Sequence, residues 1–266
     1  MIAVMVVTGC KRTPAPDIIP NSHETAAVIE KAIRKAAGKT EGKLTEADLK
    51  KVKELYLDNR QISDVSGFSE LKNLTILHLN NNQVSDLSAL ASLTQLRVLY
   101  LGNNRISDLS ALSNLTQLAQ LHLINNQVSD VTPLTGLPQL THLNLYRNRI
   151  NDLSTLTSLT QLRDLHLYGN QIKDLSPLSN LKDLTFLSLD RNQIRNVNTL
   201  TNLTKLVGLS LGKNQIKNVG ALGDLTQLTT LDLHYNAELT RAQIDQLQKT
   251  LPNCKIGHNT GKLNPN

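Results

Sequence analysis

The 266-residue chain has no tryptophan, and aromatic residues make up only 3% of it, so its core has to be built from leucine, isoleucine and valine. Such a composition is unusual for a globular enzyme. Cysteine is equally scarce: with only Cys10 and Cys254 present, no disulfide framework is expected and stability must come from packing. No run approaches the roughly 20 apolar residues that span a bilayer. The formal net charge of +6 favours an acidic partner only where the charge is clustered, and implies none where it is spread over a solvated surface.

What the chain does have is asparagine and leucine at a fixed step. Asn82, Asn104, Asn126, Asn148, Asn170, Asn192, Asn214 and Asn236 are each 22 residues apart, with no insertion in the series. Two leucine columns keep the same step, one from Leu77 to Leu231 and one from Leu79 to Leu233. Such a period marks a stacked repeat. The unit reads Leu-x-x-Leu-x-Leu-x-x-Asn-x-Ile/Val-x-Asp-Leu/Val-x-x-Leu-x-x-Leu-x-x. Its Leu-x-Leu alternation predicts a short strand with leucines inward and the x residues outward, and stacked coils then form a parallel sheet. Where the chain turns away from the strand, a buried asparagine can both donate to and accept from backbone groups that no water reaches. In the return half, for instance Ser85 to Leu93, leucines three apart behind Asp and Ser predict short 3₁₀ turns with side-chain caps.

The pattern resembles the 22-residue leucine-rich repeat, and Asn-Gln-Ile/Val-Ser-Asp-Leu-Ser-x-Leu resembles the internalin type in particular. The resemblance covers roughly residues 31 to 236. It implies an α/β leucine-rich repeat solenoid: a curved right-handed horseshoe, with the parallel sheet on its concave face and 3₁₀ turns on its convex face. Ala32-Ile33 to Gly38-Lys39, followed by Leu44-Thr45-x-x-Asp48-Leu49, resembles the helical cap that precedes internalin repeats. Val28, Ile29, Ala32, Ile33 and Ala36 form an apolar helical stripe closed by Gly38, and Thr45 with Asp48 suits the start of a second short helix. At the far end, Thr240 to Thr250 has helical spacing through Ile244 and Leu247 and stops before Pro252. Cys254-Lys255-Ile256 is then a candidate last strand, with Cys254 a buried apolar residue rather than a reactive thiol, and the tail after His258 is expected to be disordered.

The opening of the chain carries a second resemblance. Val7-Thr8-Gly9-Cys10, after an apolar run, is similar to the lipobox of bacterial lipoprotein signal peptides, although no Lys or Arg precedes the run. That resemblance implies acylation of Cys10 and a lipid anchor in the cell envelope, with the proline-punctuated segment from Lys11 to Asp17 as a tether. The competing reading is a fortuitous apolar start on a cytoplasmic protein. The expected organisation is therefore signal peptide and tether over 1–20, helical cap over 21–51, repeats over 52–236, and a C-terminal cap and tail over 237–266.

Because the repeated positions serve folding, function is sought at the outward strand positions. All five tyrosines lie in or beside them, and the candidate partner-binding residues are Tyr56, His78, Tyr100, His122, Ile124, His142, Tyr146, His166, Tyr168 and Phe186. Exposed tyrosine buries much area on binding at small entropic cost, although tyrosine also simply suits strands. His78, His122 and His166 fall in alternate coils, about 9.6 Å apart at the sheet spacing, too far to converge on one zinc ion. No metal or cofactor is expected. Asp232 and His234 face the same way, but no serine or cysteine nucleophile is placed with them, so no catalysis is expected.

From the fifth coil onward the positions flanking the asparagine column turn basic: Arg147, Arg149, Lys173, Arg191, Arg195, Lys213 and Lys217, while Asn196 and Asn218 replace the usual Asp. The resulting expectation is a monomeric, non-enzymatic module that binds a protein partner on the concave face. The alternative is a binder of an anionic envelope polymer through the basic edge. Nucleic acid is not expected.

Overall fold

The computed structural model describes residues 22–259, so Cys10 and its tether lie outside the described residues. Ten three-residue strands form one open sheet in strict chain order. They are β1 (Glu54–Tyr56), β2 (Ile76–His78), β3 (Val98–Tyr100), β4 (Gln120–His122), β5 (His142–Asn144), β6 (Asp164–His166), β7 (Phe186–Ser188), β8 (Gly208–Ser210), β9 (Thr230–Asp232) and β10 (Lys255–Gly257). Every neighbouring pair is parallel. The 22-residue step sets the register directly, so Leu77 stands opposite Leu99 and Leu99 opposite Leu121. Each strand is short because one coil supplies one pass, yet the ladder runs past the strand ends, as in Leu79 N–H donating to Tyr100 O at 2.8 Å. The fold is the leucine-rich repeat solenoid with a helical cap.

The core is a set of apolar columns, buried in every coil from Leu55 to Leu233. Phe68 fills, fully buried in the first coil, the place that leucine takes from Leu90 to Leu222. Between the columns the asparagines are also buried, and their hydrogen bonds explain why. The Asn126 amide donates back to Leu101 O at 2.9 Å and within its own coil to Leu123 O at 3.2 Å. Its Oδ1 accepts from Ile106 N–H of the preceding coil at 2.9 Å. One side chain therefore satisfies buried backbone groups of two coils, and the same arrangement recurs down to Asn236.

On the return side, 3₁₀ turns such as Ser88–Ser92 and Ser154–Ser158 pack against those of adjacent coils. The residue immediately before each turn is Leu or Val and makes no side-chain cap. The capping role falls to the Asp one residue earlier, as in Asp86 Oδ1 accepting from Ser88 N–H at 2.8 Å. Asn196 and Asn218 keep the same 2.8 Å bond, to Asn198 N–H and Gly220 N–H. Asparagine there removes a charge and retains the cap.

Helix α1 (His23–Ala37) covers β1, starting at Ser22, whose Oγ accepts from Thr25 N–H, and ending at Gly38 with φ 65°. Its buried residues are Thr25, Ile29, Ile33 and Ala37. The stripe expected from sequence therefore needs correction at Ala36, which is exposed. A row four residues apart faces the coil, and that row selects Ala37. The one-turn α2 (Glu46–Leu49) begins in a capping box of Thr45 and Asp48. At the other end α3 (Arg241–Thr250), capped by Thr240 and Gln243, buries Ile244 and Leu247. Cys254 is buried before β10, with its thiol pushed up by desolvation. Past β10 and His258, Asn259 Oδ1 accepts from Tyr235 N–H at 2.8 Å.

Replacing Asn126 by Ala should lower stability by about 1–3 kcal/mol in chemical denaturation, because it leaves buried backbone groups of two coils without partners. The exposed neighbour Arg105→Ala should change it by less than about 0.5 kcal/mol. Equal effects of the two substitutions would contradict this account of the column.

Candidate functional site

The strands' outward positions, together with the residue two beyond each strand, make one face, and the register decides which of them touch. In the central column Tyr56, His78, Tyr100 and His122 are successive partners. Their rings form a continuous pile, with centroids 4.7, 4.3 and 4.2 Å apart. The pile ends at Asn144, which occupies the column in the fifth coil, so His166 shares the column without joining the stack. Two residues further along the chain a second pair begins: Tyr146 and Tyr168 stack at 4.4 Å with their planes 6° apart. The expected stripe is thus two offset piles.

These side chains are less exposed than expected. Tyr56 is 57% exposed at the open end, whereas Tyr100, Tyr146 and Tyr168 are half-buried by their neighbours. Ile124 is half-buried beside Gly102, where an added Cβ would meet the Ile124 Cβ at 3.6 Å. His142 lies in the adjacent column and bridges Asp164 Oδ2 through Nε2 at 3.0 Å. Phe186, 47% exposed, lies over Gly208, where a Cβ would sit 2.6 Å from the Phe186 ring. A side chain at residue 208 would displace that ring.

The basic residues named from sequence divide into three groups. Arg147, Arg191 and Lys213 occupy the turn position before the buried asparagine, all with positive φ, and lie over the rings of Tyr146, Tyr168 and Tyr235 at 5.4, 5.6 and 4.9 Å. They belong to the aromatic surface as cation–π partners. Lys217 is paired with Glu238 at 2.8 Å and Arg195 donates to Gln215 at 3.0 Å. Arg149 and Lys173 stand exposed. The sequence reading did not identify this left-handed column as such, although Asn59, Asn81, Asn103, Asn125 and Gly169, residue types that tolerate positive φ, mark it.

Of the acidic residues of the face, sequence reasoning singled out Asp232 alone. Asp58 lies 3.6 Å from His78 Nδ1, Glu54 accepts from the Tyr56 hydroxyl at 2.7 Å, and Asp190 accepts from Gly212 N–H at 2.9 Å. Asp232 and His234 do meet, at 2.6 Å. Among the described residues no three His, Cys, Asp or Glu side chains are grouped to hold a metal ion.

Burial in the ring pile pushes the His122 imidazole down to about 4, helped by the positive charge that His166, His142 and His78 present when protonated. His166 is lowered too, mainly by burial. The His122 ring is therefore neutral at pH 7 and stacks as an uncharged aromatic. Its folded-state pKa lies below the ordinary 6.5, so the unfolded chain takes up the proton first. The native state then loses stability as pH falls from about 6.5 toward 4. His122→Gln should flatten this part of the stability–pH curve, and ring resonances should place the His122 midpoint near pH 4. A midpoint near 6.5 would contradict the packing described.

Models of the family described as leucine-rich repeats in two copies match residues 50–92, 72–114, 94–136, 116–158, 138–178 and 160–202. Internalin C2 of Listeria monocytogenes is similar in structure with a TM-score of 0.76 and 34% sequence identity, over 82% of this chain and 99% of that one. A leucine-rich repeat protein of Leptospira interrogans is similar with a TM-score of 0.73 and 30% identity over 80% of this chain, which spans only 57% of the Leptospira chain. The functional domain of InlJ from Listeria monocytogenes, said to include a cysteine ladder, shares the fold at 20% identity and a TM-score of 0.59. No curated protein sequence matches the chain.

Proposed function

Since the chain belongs to the leucine-rich repeat family and is internalin-like, a kind of fold that generally serves protein interaction, we propose that it is a non-enzymatic module holding a protein partner against the solvent face of its sheet. The observation that carries this reading is the pair of ring piles, Tyr56–His78–Tyr100–His122 and Tyr146–Tyr168. Stacked rings on a hydrogen-bonded sheet have lost their rotamer freedom before a partner arrives, so little further entropy is lost on contact. Aromatic residues that fill a partner's surface are also the commonest source of binding energy at interfaces.

The alternative, an anionic polymer held along the basic edge, has weaker support. Lys217 is already paired with Glu238, and Arg147, Arg191 and Lys213 are turned over tyrosine rings. Salt separates the two: polymer binding should weaken steeply with ionic strength and an aromatic-centred interface should not. For location, the reading is a lipid anchor at Cys10 on a bacterial envelope membrane, supported by the Val7-Thr8-Gly9-Cys10 sequence. A single modified residue would place the solenoid on a membrane without spanning it.

Combined replacement of Tyr100, Tyr146 and Tyr168 by Ala should abolish capture of the partner from envelope extract, since loss of one hot-spot aromatic costs about 2 kcal/mol or more. The circular dichroism spectrum should be unchanged, because these side chains leave the core intact. Undiminished capture would remove the ring piles as the site. Cys10→Ser should release the protein from the membrane fraction; a variant still sedimenting with membranes would defeat the anchor.

A further inference from the structure

The charge of the sheet face is opposite to that of the chain. The chain carries 28 Lys and Arg against 22 Asp and Glu, a net +6. Along β1 to β10, the outward positions and the residue two beyond hold Glu54, Asp58, Asp164, Asp190 and Asp232, but only Lys255 among Lys and Arg. Off the face, six acids pair with Lys or Arg, Glu30 with Arg34, Glu46 with Lys50, Asp48 with Lys39, Asp183 with Lys205, Glu238 with Lys217 and Asp245 with Arg241, while those before the return turns, such as Asp86 and Asp130, accept from turn N–H groups. On the face, among the described residues, no Lys or Arg pairs with any of the five. Their partners are histidines, tyrosine, serine and threonine hydroxyls, and backbone N–H groups. The nearby cations Arg191 and Lys213 are directed over tyrosine rings.

Past the ring piles two of these acids, Asp190 and Asp232, stand close together. There the floor is made of small residues, Ser188, Gly208, Ser210 and Gly212. A Cβ at Gly212 would sit 3.0 Å from Asp190 Oδ1 and 3.4 Å from Asp232 Oδ2, so two carboxylates border a space that any other residue would fill. Asp190 is partly desolvated and its pKa is raised, first by burial and lastly by Asp232, so the pair is under mutual repulsion that a cation would relieve. The exposed Phe186 ring lies over Gly208, farther along the strands.

We infer that the face beyond the ring piles, at β7 to β9, receives an arginine or lysine side chain of the protein partner, its cationic head between Asp190 and Asp232. Charge complementarity selects this occupant, because a positive group gains from both acids while an acidic segment would be repelled by both. The inference rests on the proposed protein-binding role of the same face. It adds the chemistry of the partner: apolar or aromatic against the tyrosines, basic against β8.

The test is to pan random dodecapeptides displayed on phage against the full-length protein. Arg and Lys should be enriched about twofold or more among selected peptides over the unselected library, and Asp190→Asn with Asp232→Asn should return that content to the library level. Asparagine keeps the acceptor for Gly212 N–H, so the fold should persist, and thermal unfolding checks it. Selected peptides with no basic bias, an acidic bias, or a basic bias that survives the double substitution would each overturn the inference. So would self-association of the chain that the double substitution abolishes, since the occupant would then be a second copy. The ring-pile reading fails separately: the tyrosine triple variant would then capture as many clones as the unaltered protein, whatever their charge.

Discussion

The asparagine amide that joins one coil to the next is the bond on which the rest of this molecule depends. A single coil of 22 residues has too little interior to shield the backbone it bends around, and the groups left pointing inward have no water to bond with. Asn126 answers for Leu101 O, Leu123 O and Ile106 N–H together, so neither of two adjacent coils is satisfied alone. The stack is therefore cooperative between nearest neighbours, and its ends need different treatment. In the first coil Arg60 stands where the asparagine would be, and Asn82 of the next coil serves both Arg60 N–H and Ile62 N–H. Helix α1 covers that end and α3 packs on the last return turn.

With folding assigned to the buried columns, the outward positions are free to vary, and they vary in an ordered way. Aromatic rings and histidines dominate from β1 to β6, while serine, glycine and aspartate follow from β7 to β9. The same separation holds for charge, since the outward strand positions and the residue two beyond carry five acids and one lysine, while the other lysines and arginines lie on the helices, turns and return side. A net charge summed over the whole chain conceals this division. The value that matters to a partner is the one displayed on the surface it meets.

Most of the fold was legible in the sequence because a strict period leaves a single register: once Leu77 and Leu99 stand opposite each other, every other pairing from β1 to β9 follows, and only β10 departs from the 22-residue step. The buried role of the asparagines followed from the same periodicity and from what an amide can do. Less was legible where the structure depends on local backbone geometry. Arg147, Arg191 and Lys213 read as a basic edge because their positive φ, which tilts them over the rings, is not written in residue type. Asp86 read as one of a pair of caps, whereas the turn begins after Leu87 and uses the carboxylate alone. Ala36 and Ala37 are adjacent small residues, and only the direction from which the first coil meets α1 decides between them. Apart from Asp232, the acids of the face were not singled out, because no coil holds more than two of them and their common environment exists only after stacking.

The ring piles follow from the same step. Adjacent strands in a sheet lie about 4.8 Å apart, close to the separation at which aromatic rings pack against one another. Rings at one strand position in successive coils must therefore pack against one another, and the observed 4.2 to 4.7 Å reflects the sheet more than any preference of the rings. Stacking hides one ring behind the next, which is why Tyr100 is half-buried although it points away from the core. What remains exposed is a row of ring edges and polar tips, rigidly spaced at the sheet period. A partner meets this row as a surface of fixed spacing, set by the sheet and not by the rings.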